Sequence, residues 1–173
     1  VAWFEARLNQ SLTELNDHFG KFRMSDALMT VYKLIWDDFC SWYLEWVKPG
    51  FEQPIDKAVY EKTIGFFEEL MQLLHPFMPF VTEEIYHQLK DRTDDLTVKQ
   101  YPATKNTVTT ILSDAAFLKE VITTIRDARN KNQLKPKDTI NLHIQTENKN
   151  VYTAIESILL KQVNAESISY TSD

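Results

Sequence analysis

The chain has 173 residues, 43% of them hydrophobic, and a formal net charge of −6. That length suits one ordinary domain or two small ones with a real core, and the acidic total argues against a uniformly basic nucleic-acid binder. The lack of any apolar run near ~20 residues excludes a membrane-spanning helix, and the single cysteine, Cys40, excludes an internal disulfide and fits a reducing cytoplasm.

The first periodic segment runs Phe4, Leu8, Leu12, Leu15, Phe19 and stops near Gly20. Steps of three and four place these side chains on one helix face. No signal peptide precedes it. The chain lacks an initiator Met and starts in mid-pattern, which reads as a piece cut from something longer. Ser25 is the predicted N-cap of a second helix that carries Leu28, Val31, Tyr32, Ile35, Phe39, Trp42 and Trp46 inward and ends at Pro49-Gly50. A third helix starts near Pro54 or Ile55 and breaks at His75-Pro76, because proline disfavours α geometry in the residue before it. A short fourth helix follows Pro79, with Val81, Ile85 and Leu89 inward.

Composition changes after Lys90. Asp91 to Asp95 reads as a polar linker, and the alternation in Leu96 to Tyr101 predicts a short strand. Ser113 is the predicted cap of a fifth helix with Leu118, Val121, Ile122, Ile125 and Ala128 inward. A strand through Ile140, Leu142 and Ile144, a helix over 151–163 and a final strand at 168–170 complete the series. The predicted fold class is mainly α: an antiparallel helix bundle over residues 1–90, followed by a small α/β unit over residues 91–173.

Charge is unevenly spread. Asp56 to Asp95 holds nine acids against four bases, net −5. Val121 to Lys137 holds five bases (Arg126, Arg129, Lys131, Lys135, Lys137) against Asp127, net +4. Phosphate contacts depend on local charge, so an acidic chain can still carry an RNA-binding patch. Arg126 and Arg129 are three apart and share a helix face, suited either to clamping phosphates or to pairing with carboxylates of the bundle. The aromatic series Trp36, Trp42, Tyr43 and Trp46 suits a heavily loaded core, and equally a stacking platform if one ring reaches the bundle end.

No catalytic constellation is present. There is no glycine-rich phosphate loop, and one cysteine with scattered histidines makes no nucleophile–base set. Glu84 and His87 match the Glu-x-x-His of di-iron bundles, but His18, His75 and His143 supply no second copy, so no metal site is predicted. In His75-Pro76-Phe77-Met78-Pro79-Phe80, two prolines set a rigid corner that Phe77, Met78 and Phe80 are expected to pin to the bundle, with His75 a satisfied corner residue.

Three strings point to one family. Trp36-Asp37-Asp38-Phe39-Cys40-Ser41-Trp42-Tyr43-Leu44-Glu45 through Lys48 resembles the W-[ND]-[ED]-F-C-[DS]-W-Y-L-E-x-x-K segment of bacterial valyl-tRNA synthetases, in their anticodon-binding domain. His75 to Tyr86 is similar to a corner shared by the valyl, isoleucyl and leucyl enzymes. Ile125-Arg126 through Pro136 resembles the arginine-rich segment that follows. The resemblance covers nearly the whole chain. It implies a tRNA anticodon stem-loop binding module of a class I synthetase. The catalytic and editing domains would lie elsewhere in the same polypeptide, with ATP and Mg²⁺ bound there and no cofactor in this piece. A valine isoacceptor tRNA is the implied partner of a cytoplasmic, monomeric enzyme. Lys21, Arg23, Lys33, Trp42 and Lys48 around the helix ends, with Arg126, Arg129 and Lys131, are the candidate tRNA-binding residues. The alternatives are the same module of an isoleucyl or leucyl enzyme, or a helical protein-interaction domain with no RNA role.

Overall fold

In the computed structural model the chain divides into two units, Val1–Ile111 and Leu112–Asp173. The structure describes residues 1–105, 109–147, 149–153 and 155–171. The first unit begins with α1 (Ala2–Gly20), whose Phe4, Leu8, Leu12 and Leu15 are buried as their spacing predicts. The helix ends at Gly20, and the chain reverses just past it. The N–H of Phe22 donates to the Phe19 carbonyl (3.1 Å) and that of Arg23 to His18 (2.9 Å). This pairing closes a helix end around one left-handed residue, usually glycine. Here that residue is Phe22, at φ 56°.

The reversal leads straight into α2 (Met24–Lys33), so Arg23 occupies the capping position and Ser25, the predicted cap, sits inside the first turn. Ala27, Thr30, Val31 and Leu34 face inward, which turns Leu28 and Tyr32, expected inside, out to solvent. From Leu34 to Tyr43 the helix widens to i→i+5 winding before the short α3 (Leu44–Val47). The wider turn explains the buried set Leu34, Asp38, Phe39 and Tyr43, at steps of four and five, where a regular helix predicted Ile35, Phe39 and either Trp42 or Tyr43. The Ser41 hydroxyl donates to the Trp36 carbonyl five residues back, at 2.8 Å.

Helix α4 (Lys57–Leu74) starts later than predicted because Asp56 caps it, its carboxylate accepting from the Val59 N–H at 3.0 Å. The aromatic pairings set the directions of the helices. Trp3 meets Trp46 and Phe4 meets Tyr43, while Arg7 pairs with Asp38 at 2.8 Å, so α1 and the second helix run antiparallel. Tyr43 hydrogen-bonds Thr63 and Phe39 stacks on Phe67, so α4 reverses again. Phe4 sits among Phe39, Tyr43 and Phe66, with centroids 5.0–5.1 Å away. Such pairs add about 0.5–1.5 kcal/mol each beyond the area they bury. At the proline corner Phe77 stacks on Phe19, but Met78 and Phe80 point to solvent rather than pinning the bend.

The fourth helix, α5 (Pro79–Leu89), carries the fully buried Thr82 and Tyr86. The division was expected after residue 90, yet residues 91–101 carry contacts to α4 and α5. The Arg92 guanidinium lies 3.7 Å from the centre of the Tyr86 ring, and the Tyr86 hydroxyl donates to Asp94 at 2.8 Å. The strand predicted at 96–101 is instead a 3₁₀ turn, Leu96–Val98. Glu83 accepts the N–H groups of Leu96 and Thr97 (2.8 and 3.2 Å), and those of Val98 and Lys99 close the turn on Asp95 and Leu96, so the donors of 96–99 are taken locally.

Two stability predictions arise here. Glu68 accepts from Lys90 (2.7 Å) and Arg92 (3.0 Å). Burial alone would raise its pKa, but those two cations outweigh it and hold the carboxyl below its ordinary value. Its contribution is therefore present above the unfolded carboxylate value of about 4.3 and is lost as pH falls through the folded one. Glu68→Gln should cost about 1 kcal/mol at neutral pH, the low end for charged hydrogen bonds because Lys90 is exposed, and next to nothing in acid. Urea titrations across pH check this. Tyr101 lies edge-on to Phe19, its hydroxyl buried with no hydrogen-bond partner among the described residues, and burial pushes its pKa up to about 12. Tyr101→Phe removes a stranded polar atom and should raise stability by about 1 kcal/mol, read as a higher urea midpoint.

The second unit holds α6 (Thr109–Lys131), β1 (Ile140–Gln145), α7 (Lys149–Thr153), α8 (Glu156–Val163) and β2 (Ala165–Thr171). Helix α6 begins before Ser113, which is not its cap, and Ala128 is exposed while Arg129 turns inward. The helix predicted over 151–163 appears as α7 and α8. Residue 154, inside that range, lies outside the described residues. Strands β1 and β2 pair in parallel, Leu142 against Ile168 and Ile144 against Tyr170. A parallel pair needs such a crossover, which α7 and α8 supply. Ile140, Leu142 and Ile144 are half-buried and their neighbours exposed, as the alternation predicts.

Candidate nucleic-acid interface

The eight candidate residues separate into distinct places. Lys21 and Arg23 flank Phe22 on the reversal between α1 and α2, and both reach Asp17 at 2.6 Å. Those pairs are exposed and worth at most about 1 kcal/mol, so they yield readily to a phosphate. Lys33 is exposed on α2 and makes no ion pair among the described residues. Lys48 lies at the opposite end of the bundle, 3.4 Å from Glu45, because Trp46 just before it packs on Trp3 at the start of α1. A 19-residue helix separates the two ends by roughly 28 Å. Trp42 is half-buried beside Trp46, with centroids 5.8 Å apart.

In the second unit Arg126 is exposed and donates to the backbone and side chain of Gln162 (3.3 and 3.2 Å). It lines a cavity of about 430 Å³ with Asn130, Lys161, Gln162 and Asn164. Lys131 is exposed at the end of α6. Arg129 differs from both. It is only 6% exposed, and its guanidinium donates to the carbonyls of Val163 (2.9 Å), Lys135 (2.5 Å) and Asp138 (2.6 Å). Three of its five N–H donors are so engaged and the side chain is buried, so little of it is left to offer a phosphate. The pairing with bundle carboxylates weighed for it is replaced by backbone carbonyls of its own unit.

Sequence reasoning named Trp36 as a possible stacking residue but missed the exposed row to which it belongs. Met24, Leu28, Tyr32 and Trp36 follow at steps of four along one side of α2, and all four are open to solvent. Tyr32 and Trp36 lie nearly parallel, 6.4 Å between centroids and 12° between planes. Phe22, 86% exposed, stands just ahead of this row. A bulky residue held left-handed costs free energy of order 1 kcal/mol, and the ring of Phe22 buries little in return. Planar rings beside Lys21, Arg23 and Lys33 can stack on planar ligands while neutralising anions.

The profile of a family described as the anticodon-binding domain of tRNA ligase matches residues 2–145. The chain belongs to that family. Among curated proteins, it is 43% identical over 171 residues to a valine–tRNA ligase of Parabacteroides distasonis, covering 98% of this chain and 19% of that protein. A valine–tRNA ligase of Phocaeicola vulgatus is 45% identical over 170 residues, covering 96% and 19%. One of Christiangramia forsetii is 38% identical over 174 residues, covering 99% and 20%. The chain thus spans about a fifth of the length of these relatives. No helix among the described residues is long and apolar enough to cross a membrane.

Proposed function

We propose that this chain is the anticodon-binding module of a valine–tRNA ligase, holding the anticodon stem-loop of a valine isoacceptor tRNA. In this reading ATP and Mg²⁺ serve valine activation in the catalytic domain of the same cytoplasmic, monomeric polypeptide, which also carries the editing domain. The observation that carries the reading is the bare aromatic row Phe22, Tyr32 and Trp36, interleaved with Lys21, Arg23 and Lys33 on the first unit. Unstacked loop bases are bound by such rings, at about 1–3 kcal/mol per base, and phosphates by such cations. Arg126 and Lys131 form a separate basic surface on the second unit, proposed for stem phosphates. Trp42 and Lys48 are secondary candidates. Arg129 is not proposed as a contact.

Filter binding of the complete ligase to valine tRNA, over a range of salt, tests the reading. Binding should weaken log-linearly with salt, and exchanging the anticodon for that of an isoleucine or leucine tRNA should weaken it further. Salt-independent binding, or indifference to the anticodon, would contradict the reading.

A further inference from the structure

The cavity lined by α6, α8 and the loop before β1 is cationic and carries no acid. Three cations line it, Arg126 and Arg129 from α6 and Lys161 from the last turn of α8, and no lining residue among the described ones is Asp or Glu. The acids nearest in sequence are Asp127, which is exposed, and Asp138, whose carboxylate accepts the Lys135 N–H at 2.8 Å. Arg126 and Asn130 stand one turn apart on one face of α6. Leu134 and Pro136 add an apolar wall.

A second observation points to an anionic occupant. Arg129 is almost wholly buried in the cavity wall, yet its guanidinium meets only backbone carbonyls and forms no ion pair among the described residues. A buried charge is ordinarily matched by an opposite one, because taking it out of water is costly. Carbonyl dipoles solvate the cation but leave its unit charge in place, so the wall keeps a positive potential. The same bonds brace the walls. Arg129 ties the end of α8 at Val163 to the loop at Lys135 and Asp138, and the Asn164 amide donates to the Lys137 carbonyl at 3.0 Å. The cavity is therefore formed before a ligand arrives. The bonds of Arg126 to Gln162 both leave from Nη2, are exposed and stand at 3.2 and 3.3 Å, long enough to give way to an anion.

We propose that this cavity binds the phosphate of a nucleotide unit, with Arg126 and Lys161 as the charged contacts, Asn130 as a neutral donor, and Leu134 and Pro136 as the face for the sugar or base. Its volume of about 430 Å³ exceeds what a lone oxyanion fills and lies in the range of sites for small organic ligands. Arg129 acts on the phosphate through its charge and not by contact. The unit belongs either to an RNA backbone or to a free mononucleotide, which present the same phosphate chemistry. Anion binding stands apart from the anticodon-module reading, and only the RNA source rests on it.

The test titrates the whole 173-residue chain, isotope-labelled, with inorganic phosphate and with adenosine monophosphate. Magnetic resonance follows the side-chain N–H signals of Arg126 and Asn130 and the backbone signal of Asn164. Saturable shifts at these groups are expected from both probes. Arg126→Gln and Lys161→Gln should each weaken binding about tenfold, the effect of losing one charge-assisted hydrogen bond. Both side chains are exposed, and circular dichroism verifies that the variants fold. The same variants in the complete ligase identify the source. Weaker binding of valine tRNA, with a salt slope lower by about one for each cation lost, assigns the cavity to the RNA backbone, and unchanged tRNA binding assigns it to a free nucleotide. No saturable shift, or equal affinity in wild type and both variants, overturns the proposal. The anticodon reading is tested separately at Phe22 and Trp36, so its failure and that of the cavity are told apart.

Discussion

Replacing Arg129 with methionine is expected to unfold the second unit while leaving the helix bundle intact. The guanidinium bridges the carbonyl ending α8, at Val163, to two carbonyls of the loop before β1, at Lys135 and Asp138. Methionine fills similar volume but donates nothing, so three buried or half-buried carbonyls lose their partner together. Each stranded acceptor costs about 1–3 kcal/mol, and breaking a buried charged network costs about 3–5 kcal/mol in all. Arg129→Lys should fare little better, since a compact ammonium on a single carbon cannot reproduce the planar fork. All four tryptophans lie in the first unit. Tryptophan fluorescence should therefore report an unchanged urea transition, while amide exchange shows β1 and β2 losing protection. Equal protection in wild type and variant would mean that Arg129 is dispensable to the fold and available to a ligand.

The second large effect is expected at Phe22. Glycine accepts the left-handed conformation without strain, so Phe22→Gly should leave the stability of the bundle unchanged or raise it by up to about 1 kcal/mol. In the complete ligase the same change should lower tRNA affinity by the worth of one stacked base, about 1–3 kcal/mol or roughly 5- to 150-fold. Trp36→Ala should act likewise, because the ring is 60% exposed and its removal opens no cavity. Gains in stability joined to losses in affinity separate a ligand-facing residue from a structural one. A loss of stability at Phe22→Gly with affinity intact would assign the ring to the fold.

Much of the bundle is legible from residue order alone. The spacing of Phe4, Leu8, Leu12 and Leu15 and the prolines at 76 and 79 define helices that the structure contains. What could not be read depends on partners distant in the chain. Gly20 ends α1 as its sequence suggests, but residue order gives no sign that Phe22, two residues on, takes the left-handed position. A regular 3.6-residue period cannot anticipate the wider winding of 34–43, and so it sends Ile35 inward in place of Leu34 and does not choose between Trp42 and the buried Tyr43. The alternation at 96–101 looks like a strand until Glu83 and the turn itself take its donors. Arg126 and Arg129 look equivalent in sequence. Only the carbonyls of 135, 138 and 163 decide that one is scaffold and the other surface.

Valine tRNA carrying a photoreactive base in its anticodon loop can be cross-linked by ultraviolet light to the complete ligase and the adducts mapped by peptide mass spectrometry. Adducts are expected on the peptide holding Phe22 and on that holding Tyr32 and Trp36, abolished by excess unlabelled tRNA. Adducts confined to other segments, with this row untouched, would contradict its part in holding the loop.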